Sequence, residues 1–438
     1  MKNRVIHFIG IKGAGMAALA RICYKLGYEV QGSDLSKYIF TQDELQKLDI
    51  PIYDFNAQNI KDNMSVVIGN AFQDDHEEVA AALANESVET YRYHEFLGTL
   101  LPNYRSVAVS GTHGKTTTTA LLRVMLSYTK ETGYLIGDGR GDLVPDDEYF
   151  ALEACEYKRH FLAYKPDIAI MTSFEIDHVD YFKSQRDFLD AFEAFSENVK
   201  DLVIVWGDDP HYSDLTLNQK VMTYGLGEAN DLQARNIENN ETHSQFDVFY
   251  KDQFIHRFDL PIVGDHMVLN ALAVIGVGIY DGIEALDMEV GLQEFKGAKR
   301  RFAIDSDETN IYIDDYAHHP TEIAVTLDAA RKRYPDKTIT AIFKPHRVGR
   351  LAHFADEFAQ ALSKADHVYL SPFTSIDDFE EGIDIDISYL QDRIPNSKII
   401  ENNADDIDDL SQHAPGVFVF MSSKDIYDLK DALKNRFN

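Results

Sequence analysis

Apolar residues along the chain fall in short runs separated by amphipathic stretches, an alternation that predicts strand–helix–strand units from one end to the other. Residues 5–9 are an apolar run ending in glycines. Residues 14–26 follow with Met16, Leu19, Ala20, Cys23 and Leu26 at helical spacing. Residues 28–30 and 66–68 read as further strands, the first leading into Gly32-Ser33-Asp34, and Leu101-Pro102-Asn103-Tyr104 reads as a linker. A second block carries strands at 107–109, 149–154, 168–172 and 202–206 and a helix over 268–279, with a polar, β-like interruption near 229–262. A third, after 297–302, has strands at 311–315, 338–343, 368–371 and 417–421 with helices between. Such alternation implies parallel sheets joined by helical crossovers. The expectation is an α/β chain in three parts, 1–103, 104–296 and 297–438, without internal repeats. Stretches 374–388 and 401–409 read as acidic loops.

Composition narrows this picture. The 438 residues exceed what one core holds, and 45% hydrophobic with 26% charged residues is the make-up of a globular protein. A net charge of −31 argues against duplex nucleic acid or an anionic membrane as partner, both of which need basic surfaces. Solubility is the plain explanation of that charge. No apolar run reaches the roughly 20 residues needed to cross a bilayer, and the N-terminal strand shows no signal-peptide cleavage pattern. Two cysteines, Cys23 and Cys155, suit a reducing compartment, so a cytoplasmic location is expected.

Candidate chemistry concentrates at strand ends. Residues 105–119 run from an apolar strand into Gly111-Thr112-His113-Gly114-Lys115-Thr116-Thr117 and a threonine-rich helix start. Backbone N–H groups at such a turn form an anion site, Lys115 adds a charge for β/γ-phosphates, and Thr116 offers a hydroxyl to Mg²⁺. The strict phosphate-loop pattern would place glycine at Val109, so this loop is a shorter variant with Gly111 in the turn. The plain alternative is an ordinary strand–helix turn that carries a lysine. Near the N-terminus, Gly13-x-Gly15-x-x-Ala18 matches a dinucleotide fingerprint, with Asp34 at the end of the next strand where a ribose-binding acid belongs. That cradle suits a diphosphate, whether of a redox cofactor or of a nucleotide-linked substrate; close packing alone would also keep its glycines.

Glu153-Ala154-Cys155-Glu156 and Thr172-Ser173-Phe174-Glu175-Ile176-Asp177-His178 each end a strand. Their carboxylates should face the phosphate loop if the strands are its parallel neighbours. Glu153 suits a Mg²⁺ ion bridging ATP phosphates, and His178 a second site; either could equally be an ordinary loop residue. In the third block, Asp314-Asp315-Tyr316-Ala317-His318-His319-Pro320 leads into a helix, Pro320 marking its first position. Its histidines fit the positioning of phosphate or nucleotide groups better than joint metal binding, because adjacent side chains rarely point together. Lys299-Arg300-Arg301, at a block junction, fits a charged ligand or an exposed patch.

Taken together, these motifs resemble the Mur ligase family over nearly the whole chain. The resemblance runs through Gly10-x-x-Gly13-x-Gly15-Met16, Gly32-Ser33-Asp34, Gly111 to Thr117, Glu153 to Glu156, Glu175-x-Asp177-His178, Gly264-Asp265-His266-x-x-x-Asn270, Arg300-Arg301-Phe302, Asp314 to Pro320, and Pro345-His346-Arg347. It implies a Rossmann-like N-terminal domain for a UDP-sugar, a central P-loop ATPase-type domain, and a Rossmann-like C-terminal domain closing over an amino acid. The implied reaction is ATP-dependent ligation of L-alanine to UDP-N-acetylmuramate through an acyl phosphate. A recycled tripeptide in place of alanine is the alternative.

By resemblance, Gly111, Thr112, His113, Gly114, Lys115, Thr116, Thr117, His266, Asn270 and Arg301 would contact ATP. Thr116, Glu153 and His178 would hold Mg²⁺, and Lys115, Glu153 and His178 would be catalytic. Gly13, Gly15, Ser33, Asp34, His318, Arg347 and Arg350 would contact the other substrates. Departures from the family pattern are Ser173 for asparagine, Met267 for asparagine, Met421-Ser422-Ser423-Lys424-Asp425 for a Gly-Ala-Gly-Asp loop, and no Ala-Gly-Glu element in 371–382. Ser422 and Lys424 are expected to close a backbone surface that a ligand would otherwise approach. Two other classes stay open: an NAD(P)-dependent dehydrogenase built on the first cradle, and a nucleotide-binding relative without turnover.

Overall fold

The computed structural model describes residues 4–137, 139–240, 242–297, 300–374, 378–380, 382–401 and 403–437. Lys299, and residues 375–377 and 381 of the acidic stretch, lie outside them. Among the described residues the chain is α/β with three sheets, in two compact units: Met1–Glu175 with Gln185–Lys296, and Ile176–Ser184 with Gly297–Asn438.

In the first unit, five parallel strands form the N-terminal sheet in the order Ile52–Tyr53, Val30–Ser33, Ile6–Ile9, Ser65–Ile68, Glu89–Arg92. Ile6–Ile9 and Ser65–Ile68 are buried throughout, as strands covered on both faces must be. Chain order reverses at Ile6–Ile9, which puts a crevice at its carboxyl end, where the glycine turn lies. The linker reading of 101–104 becomes a 3₁₀ turn, Leu101–Asn103, with Leu101 buried.

The second sheet of this unit has ten strands. Arg105–Ser110 lies between Tyr149–Glu153 and Ile168–Met171, both parallel to it. Leu202–Trp206 and Val221–Gly225 continue the parallel core, while Leu232–Asn239, Ser244–Tyr250 and Gln253–Leu260 extend the sheet as an antiparallel meander. That meander is the polar interruption near 229–262; Phe246, Val248 and Phe258 bury one face of it. Helices Lys115–Ser127 and Asp265–Asp281 share one core with the strands, through Leu121, Leu122, Met125, Val268, Ala271 and Ile275.

The second unit is built on a six-stranded sheet in the order Ala303–Ser306, Ile311–Asp315, Gly416–Met421, Thr338–Phe343, His367–Leu370, Lys398–Ile399. Only its first strand runs antiparallel. Ile176 and Val179 pack on this unit's core, so segment 176–184 leaves the central block and belongs here. One loop expectation is corrected: Ala404–Ser411 is a helix, capped by the Asn403 side chain accepting the Asp406 N–H at 3.0 Å. Its acidic first turn suits a helix N-terminus, and Ile407 and Leu410, three apart, are its buried face.

Candidate active site

The phosphate loop takes its shape from two glycines. Gly111 has φ +125°, and a Cβ there would lie 2.2 Å from Thr172 Oγ1 and 2.8 Å from the Ser173 nitrogen. Gly114 caps the helix at φ +81°, where a Cβ would lie 2.8 Å from Asn270 Oδ1. Both positions exclude a side chain on conformation and on space. Asn270 and His266 sit four residues apart on one helix face, Asn270 against the loop and His266 exposed.

Lys115 Nζ folds back over its own loop. It donates to the carbonyls of Gly111 and Thr112, the latter at 3.2 Å, and pairs with Glu156 Oε1 at 3.0 Å. Burial would lower the Lys115 pKa, but the Glu156 carboxylate beside it reverses that, and the ammonium is held above its ordinary value. Glu156 itself is buried. Its motif is visible in the sequence but its partner is not; the signal was a second carboxylate three residues beyond Glu153 at the same strand end.

Strand register places Glu153 opposite Val109, two residues before Gly111, and Met171 opposite Ser110. The two flanking strand ends therefore border the loop as parallel neighbours. Ser173, where asparagine was expected, accepts the His113 N–H on its hydroxyl at 2.9 Å and the Thr112 N–H on its carbonyl at 3.2 Å. The Thr112 hydroxyl donates to the Glu175 carbonyl, and His113 Nε2 lies 2.8 Å from Glu175 Oε2. Strand end and loop thus hold each other through backbone and side chains alike.

Glu153 Oε1 accepts the Gly137 N–H at 2.7 Å. Two residues on, a Cβ at Gly139 would lie 3.2 Å from Ala14 Cβ, and Arg21 Nη2 donates to the Gly139 carbonyl at 3.2 Å. The backbone at Gly139 therefore lies against Ala14–Lys25, the helix that follows the N-terminal glycine turn. In that turn, Gly15 faces Tyr93, whose hydroxyl would be 3.2 Å from a Cβ, while Gly13 donates its N–H to the Gly10 carbonyl at 3.1 Å. Asp34 accepts the Lys12 N–H on Oδ2 and the Leu35 N–H on Oδ1, each at 2.8 Å. Ser33, by contrast, is fully buried with its hydroxyl donating to Glu78.

Thr116 and Glu153 supply hydroxyl and carboxylate oxygens within one unit, a hard donor set of the kind Mg²⁺ takes. His178 falls in the second unit, with φ +53° and its N–H donated to Asp177 Oδ1 at 2.6 Å.

In that second unit, Arg350 grips Asp177 through two N–H groups, Nε to Oδ1 at 3.0 Å and Nη2 to Oδ2 at 3.1 Å, both side chains buried. Burial would raise the Asp177 pKa. Arg350, and beyond it His178, His318 and His319, instead hold it well below the carboxylate range. Arg347 Nη1 pairs with Asp180 Oδ2 at 2.6 Å. Both arginines assigned to substrate thus secure segment 176–184. Arg301 and His318 meet at Glu322, at 3.6 and 3.1 Å, with the Arg301 guanidinium 5.0 Å from the centre of the Tyr316 ring.

The 421–425 loop differs from expectation at Ser422. That side chain is fully buried and accepts the Lys424 N–H at 2.9 Å, so it folds into its own loop instead of standing over a ligand surface. Arg300 Nη2 donates to the carbonyls of Ser422 and Lys424 at 2.7 and 3.0 Å. His346, 3.1 Å from Ser423 Oγ, is pushed down to about 4 by burial and then by the charges of Lys424 and Arg350.

Three family models match the chain in succession: "Mur ligase family, catalytic domain" over residues 5–105, "Mur ligase middle domain" over 109–278, and "Mur ligase, glutamate ligase domain" over 300–424. Among solved structures, the UDP-N-acetylmuramate-alanine ligase of Thermotoga maritima is 29% identical with TM-score 0.79, covering 99% of this chain and 98% of that one. A murein peptide ligase of Psychrobacter arcticus is 25% identical with TM-score 0.70 over the same shares. The MurF ligase of Thermotoga maritima in complex with ADP shares the fold at 17% identity and TM-score 0.65, covering 87% of this chain and 96% of that one.

Proposed function

The chain belongs to the Mur ligase family, ATP-dependent ligases of peptidoglycan precursors, and on that premise we propose that it joins L-alanine to UDP-N-acetylmuramate. The observation that carries this is the pairing of two cradles in one compact unit. The phosphate loop with Lys115 and Glu153 takes ATP, and the Gly10–Ala18 turn with Asp34 takes the UDP-sugar.

The muramyl carboxylate oxygen attacks the γ-phosphorus of ATP, ADP departs, and an acyl phosphate forms. The amine nitrogen of L-alanine then attacks the acyl carbon, phosphate leaves with the C–O electron pair, and the amine gives up its proton. Lys115 offsets charge on the transferring phosphoryl group, while the N–H groups of the loop and its helix start orient the phosphates. Thr116 and Glu153 would hold Mg²⁺ and His178 would hold a second ion, and such ions would supply further charge neutralisation. His266 and Asn270 take the adenosine end of ATP, and Arg301 contacts the nucleotide. His318, Arg347 and Arg350 serve the amino-acid end, the two arginines by setting segment 176–184. The two cysteines, both unpaired, fit the cytoplasm as the site of action. Among the described residues no helix is long and apolar enough to cross a membrane.

A second reading, attachment of a tripeptide to the same sugar nucleotide, is favoured by the match to the murein peptide ligase. A dehydrogenase leaves Gly111–Thr117 without a role. Purified protein should release phosphate only with UDP-N-acetylmuramate, L-alanine and Mg-ATP together. Release with the tripeptide but not with alanine would move the assignment to the second reading, and release with neither would remove both.

A further inference from the structure

Beneath the N-terminal glycine turn lies a buried polar cluster that no step of the reaction uses. Glu78, in the first turn of helix Glu77–Ala84, is completely buried. Its Oε2 accepts the Ser33 hydroxyl and lies 3.6 Å from His7 Nε2; its Oε1 accepts the Asn56 N–H at 3.0 Å and Asn59 Nδ2 at 2.7 Å. His7 and Ser33 are also fully buried, and His7 Nδ1 is 3.0 Å from Gln31 Nε2.

What this cluster holds is the entrance to the cradle. The Ser33 carbonyl accepts the N–H groups of Gly10 and Ile11 at 2.9 and 3.1 Å, and Asp34 accepts that of Lys12. Three successive N–H groups are thus fixed by the Ser33–Asp34 strand end, whose side-chain anchor is Glu78. The helix that begins at Ala14 then aims its first-turn N–H groups, which have no intrahelical acceptor, in a set direction. The same carboxylate ties in the loop after Ile52–Tyr53 through Asn56 and Asn59. One residue therefore ties together two strand ends and, through Ser33, the glycine turn after a third strand, at the sheet edge where α/β folds bind ligands.

Packing alone gives no reason for a carboxylate here, since burying one costs free energy unless it is fully hydrogen-bonded, and an apolar side chain would fill the space. We propose that Glu78 is a positioning residue for the nucleotide diphosphate of the sugar substrate, acting through Ser33 on the Gly10–Gly15 turn. The proposal rests on the UDP-sugar reading of this cradle. Burial favours protonation of Glu78, but the nearby His7 and the hydrogen bonds from Asn56, Ser33 and Asn59 outweigh it, so the carboxylate stays charged.

The test uses the full chain, with UDP binding measured by calorimetry and phosphate release measured while UDP-sugar and ATP are varied separately. Glu78→Gln should raise the Kd for UDP and the KM for the UDP-sugar by about tenfold. It should leave kcat and the KM for ATP within about twofold. Ser33→Ala should act in the same direction more weakly, and the double variant should be no worse than Glu78→Gln alone, because both act through one contact. A folded Glu78→Gln with unchanged UDP affinity, or one whose KM rises equally for ATP, overturns the proposal. If Glu78→Gln does not fold, Ser33→Ala decides by the same criteria. Wild-type protein that binds no UDP overturns the ligase reading together with this one; wild-type binding with unaffected variants overturns this one alone.

Discussion

Glu156→Gln tests whether Lys115 is placed by its buried partner. The substitution keeps the shape of the side chain and removes its charge. Losing one partner of a buried ion pair costs about 3 to 5 kcal/mol when the other charge is stranded. Lys115 is not stranded, because it also donates to the carbonyls of Gly111 and Thr112, and glutamine keeps an oxygen to accept from it. The loss should therefore approach that of one charged hydrogen bond, about 2 kcal/mol. Because the pairing raises the Lys115 pKa, this stabilisation is complete below the ordinary lysine value and is lost only as pH rises through the raised value. Urea denaturation of wild type and variant should thus differ by a constant amount from neutral to mildly alkaline pH. Since the ammonium is then less well directed, kcat/KM for ATP should fall by about tenfold or more. Equal unfolding midpoints together with unchanged ATP kinetics would refute the reasoning.

Lys115→Ala should abolish phosphate release while leaving the circular dichroism spectrum unchanged; near-normal turnover would remove the phosphate-loop assignment. Arg350→Ala strands the buried Asp177 carboxylate and should destabilise the second unit by roughly 3 kcal/mol or more in denaturant titrations. Asp315 is raised to about 6, burial outweighing the nearby Arg301. A carboxyl whose folded pKa lies above its unfolded one costs stability as pH rises between the two. Asp315→Asn should therefore gain up to about 3 kcal/mol at neutral pH and nothing below about pH 4, and a pH-independent difference in unfolding free energy would contradict this.

The strands 202–206, 311–315 and 338–343 were legible to the residue, because each carries an apolar run and is paired with a neighbouring strand on both sides. The phosphate loop was legible for a different reason: its glycines and lysine are consecutive, and local conformation demands them. Pairings across long sequence separations leave no such trace. Nothing near Asp177 announces Arg350, and nothing near Lys115 singles out Glu156 from Glu153. Segment 176–184 lies inside the central block by sequence, yet Ile176 and Val179 pack in the other unit, which only the tertiary core reveals. Helix Ala404–Ser411 was hidden by its acids, although Ile407 and Leu410 carried the helical spacing. Ser33 sits in a recognisable motif, but its strand position turns the hydroxyl inward to Glu78.

The central claim is that the muramyl carboxylate is activated as an acyl phosphate before the amine attacks. UDP-N-acetylmuramate labelled with heavy oxygen in its carboxylate, turned over with Mg-ATP and L-alanine, tests it directly by mass spectrometry of the released phosphate. Each released phosphate should carry one labelled oxygen from the substrate. Phosphate without label, formed alongside the amide product, would contradict it.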